Sequence, residues 1–161
     1  MEGWDPVVRE IVKATPKGRQ IDHKLVFRDP LRTFISPQGR IALIGDGAHP
    51  FLPTSIQGAS QSIEDGTTLA VCLELAGKDK VTEAARAYET IRYGRVHKAQ
   101  ATGVSTRERW HHADWDAMAK NPEKLHLVRE QWLLGFDAET HAYNVYADTV
   151  ASLTKKDEAK L

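Results

Sequence analysis

Residues 45–66 read GDGAHPFLPTSIQGASQSIEDG, and the reading of this stretch decides the rest of the chain. An apolar run, Arg40-Ile41-Ala42-Leu43-Ile44, leads into Gly45-Asp46. Its lack of alternation predicts a strand buried on both faces. Pro50 and Pro53 then predict a stiff loop, because proline fixes φ and removes a donor. Gln57-Gly58 opens a helix that carries Glu64 and Asp65. A strand end, an acid in a glycine-flanked turn and a fresh helix N-terminus together form a candidate ligand cradle. Amides in a first helical turn lack intrahelical acceptors and carry partial positive charge, so they suit an electronegative group.

Outward from that stretch, the pattern predicts a helix-dominated α+β chain with a few short strands. Asp5-Pro6 reads as an N-cap and a first-turn proline before the face Val7, Val8, Ile11 and Val12, which Thr15-Pro16-Lys17-Gly18 ends. Lys24 to Arg28 and Thr33-Phe34-Ile35 are strand candidates, and Ser36-Pro37-Gln38-Gly39 reads as a turn. Gly58 to Ala76 forms a first long helix with Ala59, Ile63, Gly66, Ala70 and Leu73 on one face, and Gly77 stands at its C-cap position. Asp79 is placed to cap a second helix, from about Val81 to about Trp110, with Val81, Ala84, Tyr88, Ile91, Arg95 and Ala99 on one face. Gly94 and Gly103 inside it mark a bend or a close contact. After Asn121-Pro122, Asp137 caps a last helix that aligns Ala138, Ala142, Val145, Thr149 and Leu153, and the tail from Lys155 to Leu161 is expected to fray.

The totals narrow the class. The 161 residues suit one domain: 1–57 with the N-terminal helix, short strands and Gly-Asp loop, 58–112 with two long helices, and 113–161 as a helical extension. Lys+Arg and Asp+Glu stand at 22 each, so charge gives no reason to expect nucleic acid or an anionic membrane as a partner. MEGWDPVVRE has no apolar run, so no secretory signal is expected there. One cysteine, Cys72, excludes an internal disulfide, and its apolar neighbours make it a buried, inert thiol; a cytoplasmic setting fits.

Gly45-Asp46-Gly47-Ala48-His49-Pro50, Pro53, Gln57-Gly58-Ala59 and Glu64-Asp65 resemble the second flavin-contacting motif of FAD-dependent aromatic hydroxylases, the salicylate hydroxylase-like single-component flavoprotein monooxygenases. Ala87-Tyr88-Glu89, Arg92-Tyr93, Arg95 and residues 110–116 (WHHADWD) also look like fungal members, so the resemblance covers nearly the whole chain but only the C-terminal part of the family. It implies that Gly45 and Asp46 hold the ribityl hydroxyls of FAD, with Pro53, Gln57, Gly58 and Ala59 on the flavin ring. It further implies that His49, Pro50, Phe51 and Leu52 line the substrate pocket, with His49 the candidate for proton transfer. The implied chemistry is reduction of FAD by NAD(P)H and hydroxylation of a small aromatic or hydrophobic substrate, with the cofactor doing the oxygen chemistry.

Other motifs fail their own tests. Gly45-Asp46-Gly47 is no dinucleotide fingerprint, because Pro50 stands where G-x-G-x-x-G needs glycine. His111-His112 and Asp114 lack metal-ligand spacing, so no metal is expected. Ser60, Ser62 and Ser105 lack a nucleophile-elbow context. Glu64 and Asp65 point in different directions on a helix and read as complements to its dipole. Trp4, Trp110, Trp115 and Trp132 read as core or interface packing.

Against the family pattern the chain departs in having no dinucleotide-binding region, no mid-chain Asp-Gly motif, and Gly47 in place of a common alanine. Three functions follow. The first is the ribityl and isoalloxazine side of a flavin monooxygenase, completed by a separate dinucleotide-binding half. The second is a truncated, cofactor-independent isomerase or cyclase built on Asp46 or His49. The third is a non-catalytic dimerisation module. An apolar surface uncovered by the missing region predicts a homo-oligomer under all three.

Overall fold

The structure is a computed structural model and describes residues 2–18, 21, 24, 28–125 and 130–159. Three long helices carry the fold: α2 (Gly58–Ala76), α3 (Val81–His111) and α6 (Ala138–Glu158), each packed on the other two. Shorter helices are α1 (Pro6–Ala14), α4 (Trp115–Lys120) and α5 (Gln131–Leu134). Phe34, Ala48, Cys72, Ala84, Ala87, Tyr88, Val96 and Tyr146 make the core. The alanines of α3 let its backbone come close to its neighbours, and Phe34 and Tyr88 fill the space between.

Local signals set the helix ends. Asp5 accepts the Val7 amide at 2.8 Å, and Asp137 accepts the Thr140 amide at 3.0 Å. Gly77, at φ +71°, closes α2 by donating to Leu73 O. Asp79 does not cap α3. It lies inside a 3-10 turn, Lys78–Lys80, and Lys80 precedes the helix without a side-chain cap. The tail expected to fray is helical to Glu158, where Asp157 meets Arg86 at 3.0 Å.

The expected strands reduce to one antiparallel bridge, Ile35 to Ala42, among the described residues. Gly39, at φ +65°, makes the turn between them, and a Cβ there would lie 2.4 Å from Thr82 Cγ2. The run 40–44 is not buried on both faces, for Ile41 is 64% exposed and Ile44 45%. An inner strand needs a neighbour on each side, and 34–36 provides one. Of the candidate strand 24–28, residues 25–27 lie outside the described residues. Among the described residues the α+β expectation therefore becomes a helical architecture with a single bridged turn. That turn is anchored to α3, where Tyr88 Oη donates to Leu43 O and Glu89 accepts from Thr33 Oγ1 and the Phe34 amide.

Two apolar patterns face outward. None of α1 is buried, so Val7, Ile11 and Val12 form an exposed stripe. Trp4 and Trp115 are also exposed, so of the core or interface packing expected for them only an interface remains. Trp132 does pack: Lys98 Nζ stands 3.9 Å above its ring, and Arg95 lies over Phe136 at 3.7 Å. These cations fasten the segment before α6 to α3.

Candidate functional site

Ile44 is extended, and the chain then turns through Gly45–Gly47 with Gly45 at φ +56°. A Cβ at Gly45 would sit 2.7 Å from Ser62 Oγ on α2, so both conformation and space demand glycine. This turn presents the Asp46 carboxylate to a cavity of about 300 Å³, lined also by Phe51, Leu52, Pro53, Ser55, Gln57, Gly58 and Ala59. The first turn of α2 forms one wall, with Gln61 the first residue whose amide finds a carbonyl, that of Gln57. A Cβ on Gly58 would stand 3.9 Å from Asp46 Oδ1, so the acid and the helix start face one another.

Of the residues singled out in the sequence, Asp46, Phe51, Leu52, Pro53, Gln57, Gly58 and Ala59 meet at this cavity, and Gly45, His49 and Pro50 do not line it. His49 is fully buried behind the wall, edge-on to Phe34 and Phe51. Its Nε2 lies 2.6 Å from Asp65 Oδ2.

Asp65 organises the layer beneath. It is 0% exposed, and Oδ2 also accepts the Gly45 amide at 2.9 Å, while Oδ1 accepts Arg92 Nε at 2.8 Å. Burial is the largest influence on its ionisation and opposes it. The hydrogen bonds from His49, Gly45 and Arg92 together outweigh burial and hold the carboxyl below the usual carboxylate range. Arg92, equally buried, donates further to Glu64 Oε2 at 2.6 Å and Gln61 Oε1 at 2.8 Å. Glu64 receives Arg95 in a two-pronged pair at 2.7 and 2.8 Å, and Arg95 reaches on to the carbonyls of Trp132 and Leu133. Glu64 and Asp65 therefore do not merely complement the dipole of α2. They diverge, as adjacent helical residues must, yet one guanidinium spans both.

The loop is fixed from the other side by α3. Gln100 Nε2 donates to Pro50 O at 2.9 Å, and Thr54 Oγ1 donates to Gly103 O at 2.8 Å. A Cβ on Gly103 would lie 2.9 Å from Ser55 Cβ, which makes this glycine a point of close approach; Gly94 meets nothing within 4 Å. Ile56 takes φ +54°, a left-handed conformation that a β-branched residue adopts at a cost. That strain sits at the entrance to α2, beside the cavity.

The charge layer was missed from the sequence, although a signal for it was present. Asp65 and Arg92 lie at nearly equal distances from the turn at Gly77–Lys80. An antiparallel pair of helices joined there brings them side by side. Cys72 is buried, its thiol pushed up to about 11 by burial, in keeping with an inert group. His112 is exposed and meets Glu108 at 3.2 Å; among the described residues no three potential ligands converge on a metal position.

No family profile matches the chain. It is 40% identical over 145 residues, 90% of its length, to FAD-dependent monooxygenase fsr3 of Gibberella fujikuroi, and covers 28% of that protein. It is 38% identical over 151 residues to asperlicin C monooxygenase of Petromyces alliaceus, covering 94% of this chain and 33% of that one. Among solved structures, CtdE in complex with FAD and substrate 4 superposes with a TM-score of 0.82 at 39% identity, over 91% of this chain and 35% of that chain. Native FqzB superposes with a TM-score of 0.76 at 40% identity, over 83% and 31%. The chain spans about a third of the length of the relatives it matches, and the relatives named here for their cofactor are FAD-dependent monooxygenases.

Proposed function

We propose that the chain supplies the ribityl- and ring-facing side of the FAD site of a monooxygenase acting on a small aromatic or hydrophobic substrate. The observation that carries this reading is the meeting of Asp46 and the first turn of α2 across one cavity. The donor set fits the cofactor. A carboxylate with no hydrogen-bond partner among the described residues can accept from ribityl hydroxyls. Amides of Gly58 and Ala59 can donate to the electronegative edge of the ring, where a helix start stabilises negative charge by about 0.3–2 kcal/mol. Phe51, Leu52 and Pro53 offer apolar, stiff walls to a flat ring. When bound, FAD supplies the redox and oxygen chemistry, reduced by NAD(P)H.

The remaining residues position these groups. Asp65 fixes the Gly45 amide and thereby the aim of Asp46, and His49 braces Asp65. In this reading His49 orients the loop, since its ring is sealed from the cavity. Gln100 and Thr54 hold the Pro50–Ser55 segment against α3. The exposed Ile41 and Ile44 at the mouth of the turn, and the stripe on α1, then face a dinucleotide-binding half that completes the pocket. The reading as an isomerase or cyclase keeps Asp46 as the one acid among the described residues that line the cavity, with His49 already committed to Asp65.

Binding of FAD to the purified chain, alone and with a dinucleotide-binding half supplied in trans, tests this. Visible flavin absorbance that co-elutes with the chain in gel filtration is the expected result, weakened roughly tenfold or more in Asp46→Ala, as befits hydrogen bonds to a charged acceptor. No retained flavin in either arrangement overturns the reading.

A further inference from the structure

Among the described residues Ile56 is the one residue other than glycine with a positive φ, at φ +54° and ψ 28°. Its neighbours impose that conformation. On one side, Ser55 is buried against Gly103 of α3, and Thr54 Oγ1 donates to Gly103 O at 2.8 Å. On the other, Gln57 is buried, and its carbonyl accepts the Gln61 amide at 2.9 Å as α2 begins. A single residue must therefore turn the chain from the surface of α3 into the axis of α2. The Ile56 amide donates back to Pro53 O at 3.0 Å, and the Gln57 amide donates to Ser55 Oγ at 3.2 Å. The turn is thus held by hydrogen bonds on both sides of the strained residue.

Left-handed backbone is ordinary for glycine and tolerable for asparagine. A β-branched residue is among the least suited to it, because the branches at Cβ crowd the adjacent carbonyl. Packing within the chain does not offset this strain. Ile56 is 59% exposed and belongs to no part of the core cluster. The feature it does border is the Asp46 cavity, which it lines beside Phe51, Leu52 and Pro53. Glycine would make the same turn without strain, but would leave that part of the rim without a side chain.

We infer that Ile56 is a ring-contacting residue of the flavin site, its left-handed backbone aiming the first turn of α2 at Asp46 and its side chain covering the flat ring. This rests on the flavin reading of the cavity and adds to it a residue whose worth is realised only in the complex. Strain acts on the folded chain with or without ligand, whereas contact with the ring acts on the bound state alone. Stability of the free chain and affinity for FAD therefore move in opposite directions at this position, which a merely structural role does not produce.

The test compares Ile56→Asn, which relieves the backbone and removes the apolar cover, with Ile56→Val, which keeps both. Thermal melts without flavin, and FAD affinity from quenching of flavin fluorescence, are measured on the full chain, alone and with a dinucleotide-binding half supplied in trans. Ile56→Asn is expected to raise the melting midpoint by about 2–4 °C. It is expected to weaken FAD binding about tenfold, while Ile56→Val stays within about fourfold of the native chain, the loss of one buried methylene. A lower midpoint in Ile56→Asn, or native FAD affinity in that variant, overturns the inference and leaves the flavin reading standing. So does a loss confined to association with the other half, which would assign Ile56 to a contact between halves. A native chain that holds no FAD in either arrangement overturns the flavin reading and this inference with it.

Discussion

The two faces of α2 are built in opposite senses. Its outward face carries Ala59, Ile63, Ala70 and Leu73, with Ile63 70% exposed. Its inward face carries Gln61, Asp65, Thr68 and Cys72, all buried. A hydrophobic pattern read alone would seat the helix the other way round. The inward face is tolerated because Arg92 arrives from α3 with a hydrogen bond for each of Asp65, Glu64 and Gln61. Buried charge is costly unless paired and hydrogen-bonded, and here it is both. The lesson is that periodicity identifies a face, while the partner helix determines whether that face turns inward.

The largest expected effect comes from breaking the inward face. Asp65→Ala leaves Arg92 buried with one carboxylate partner fewer and frees the Gly45 amide and His49. A loss of about 3–5 kcal/mol in urea unfolding is expected. FAD affinity, if the chain binds flavin, falls with it through the released turn. Arg92→Met tests the same node from the other helix and should cost a similar amount. If each variant loses under about 1 kcal/mol, the inward face is not held by this network.

Acid sharpens the comparison without mutation. Asp65 titrates below the ordinary carboxylate range in the folded chain and within it when unfolded. Its contribution is therefore complete above the unfolded value, about 3.9, and is lost as pH falls through the lower folded value. Acid unfolding monitored by circular dichroism should steepen below about pH 4, and Asp65→Ala should remove that steepening.

Gly103→Ala probes the contact between α3 and the Asp46 loop. A Cβ 2.9 Å from Ser55 Cβ forces the loop outward, at an expected cost of about 1–3 kcal/mol. Gly94→Ala, on the same helix with nothing within 4 Å, should instead stabilise by about 0.5–1 kcal/mol. A matched pair of thermal melts separates the two. The smallest effect belongs to the outward face of α2: Ile63→Lys should change stability by less than about 0.5 kcal/mol in the isolated chain. A larger loss would mean that this face is covered in solution.

Much of the candidate site could be read from residues 45–59. The acid, the two prolines and the helix start are local signals, and Asp46, Pro53, Gln57, Gly58 and Ala59 do converge on one cavity. His49 was legible as a residue of the motif, but not its burial, because that depends on Phe34, Phe51 and Asp65 arriving from elsewhere. The apolar run 40–44 misled for a related reason. Composition shows that a segment can be a buried strand, and only neighbouring strands make it one.

By itself the sequence determined where α2 ends and where α6 begins, because Gly77 and Asp137 act within a few residues of where they stand. It also determined the glycine-flanked turn at Asp46. Only the tertiary structure decided which side of α2 faces in, that His49 is sealed behind the cavity wall, and that Arg92 ties together two acids that point apart. Those outcomes depend on groups 16 to 31 residues apart meeting at hydrogen-bond distance. The strength of such pairing depends on burial, and burial exists only once the helices have packed.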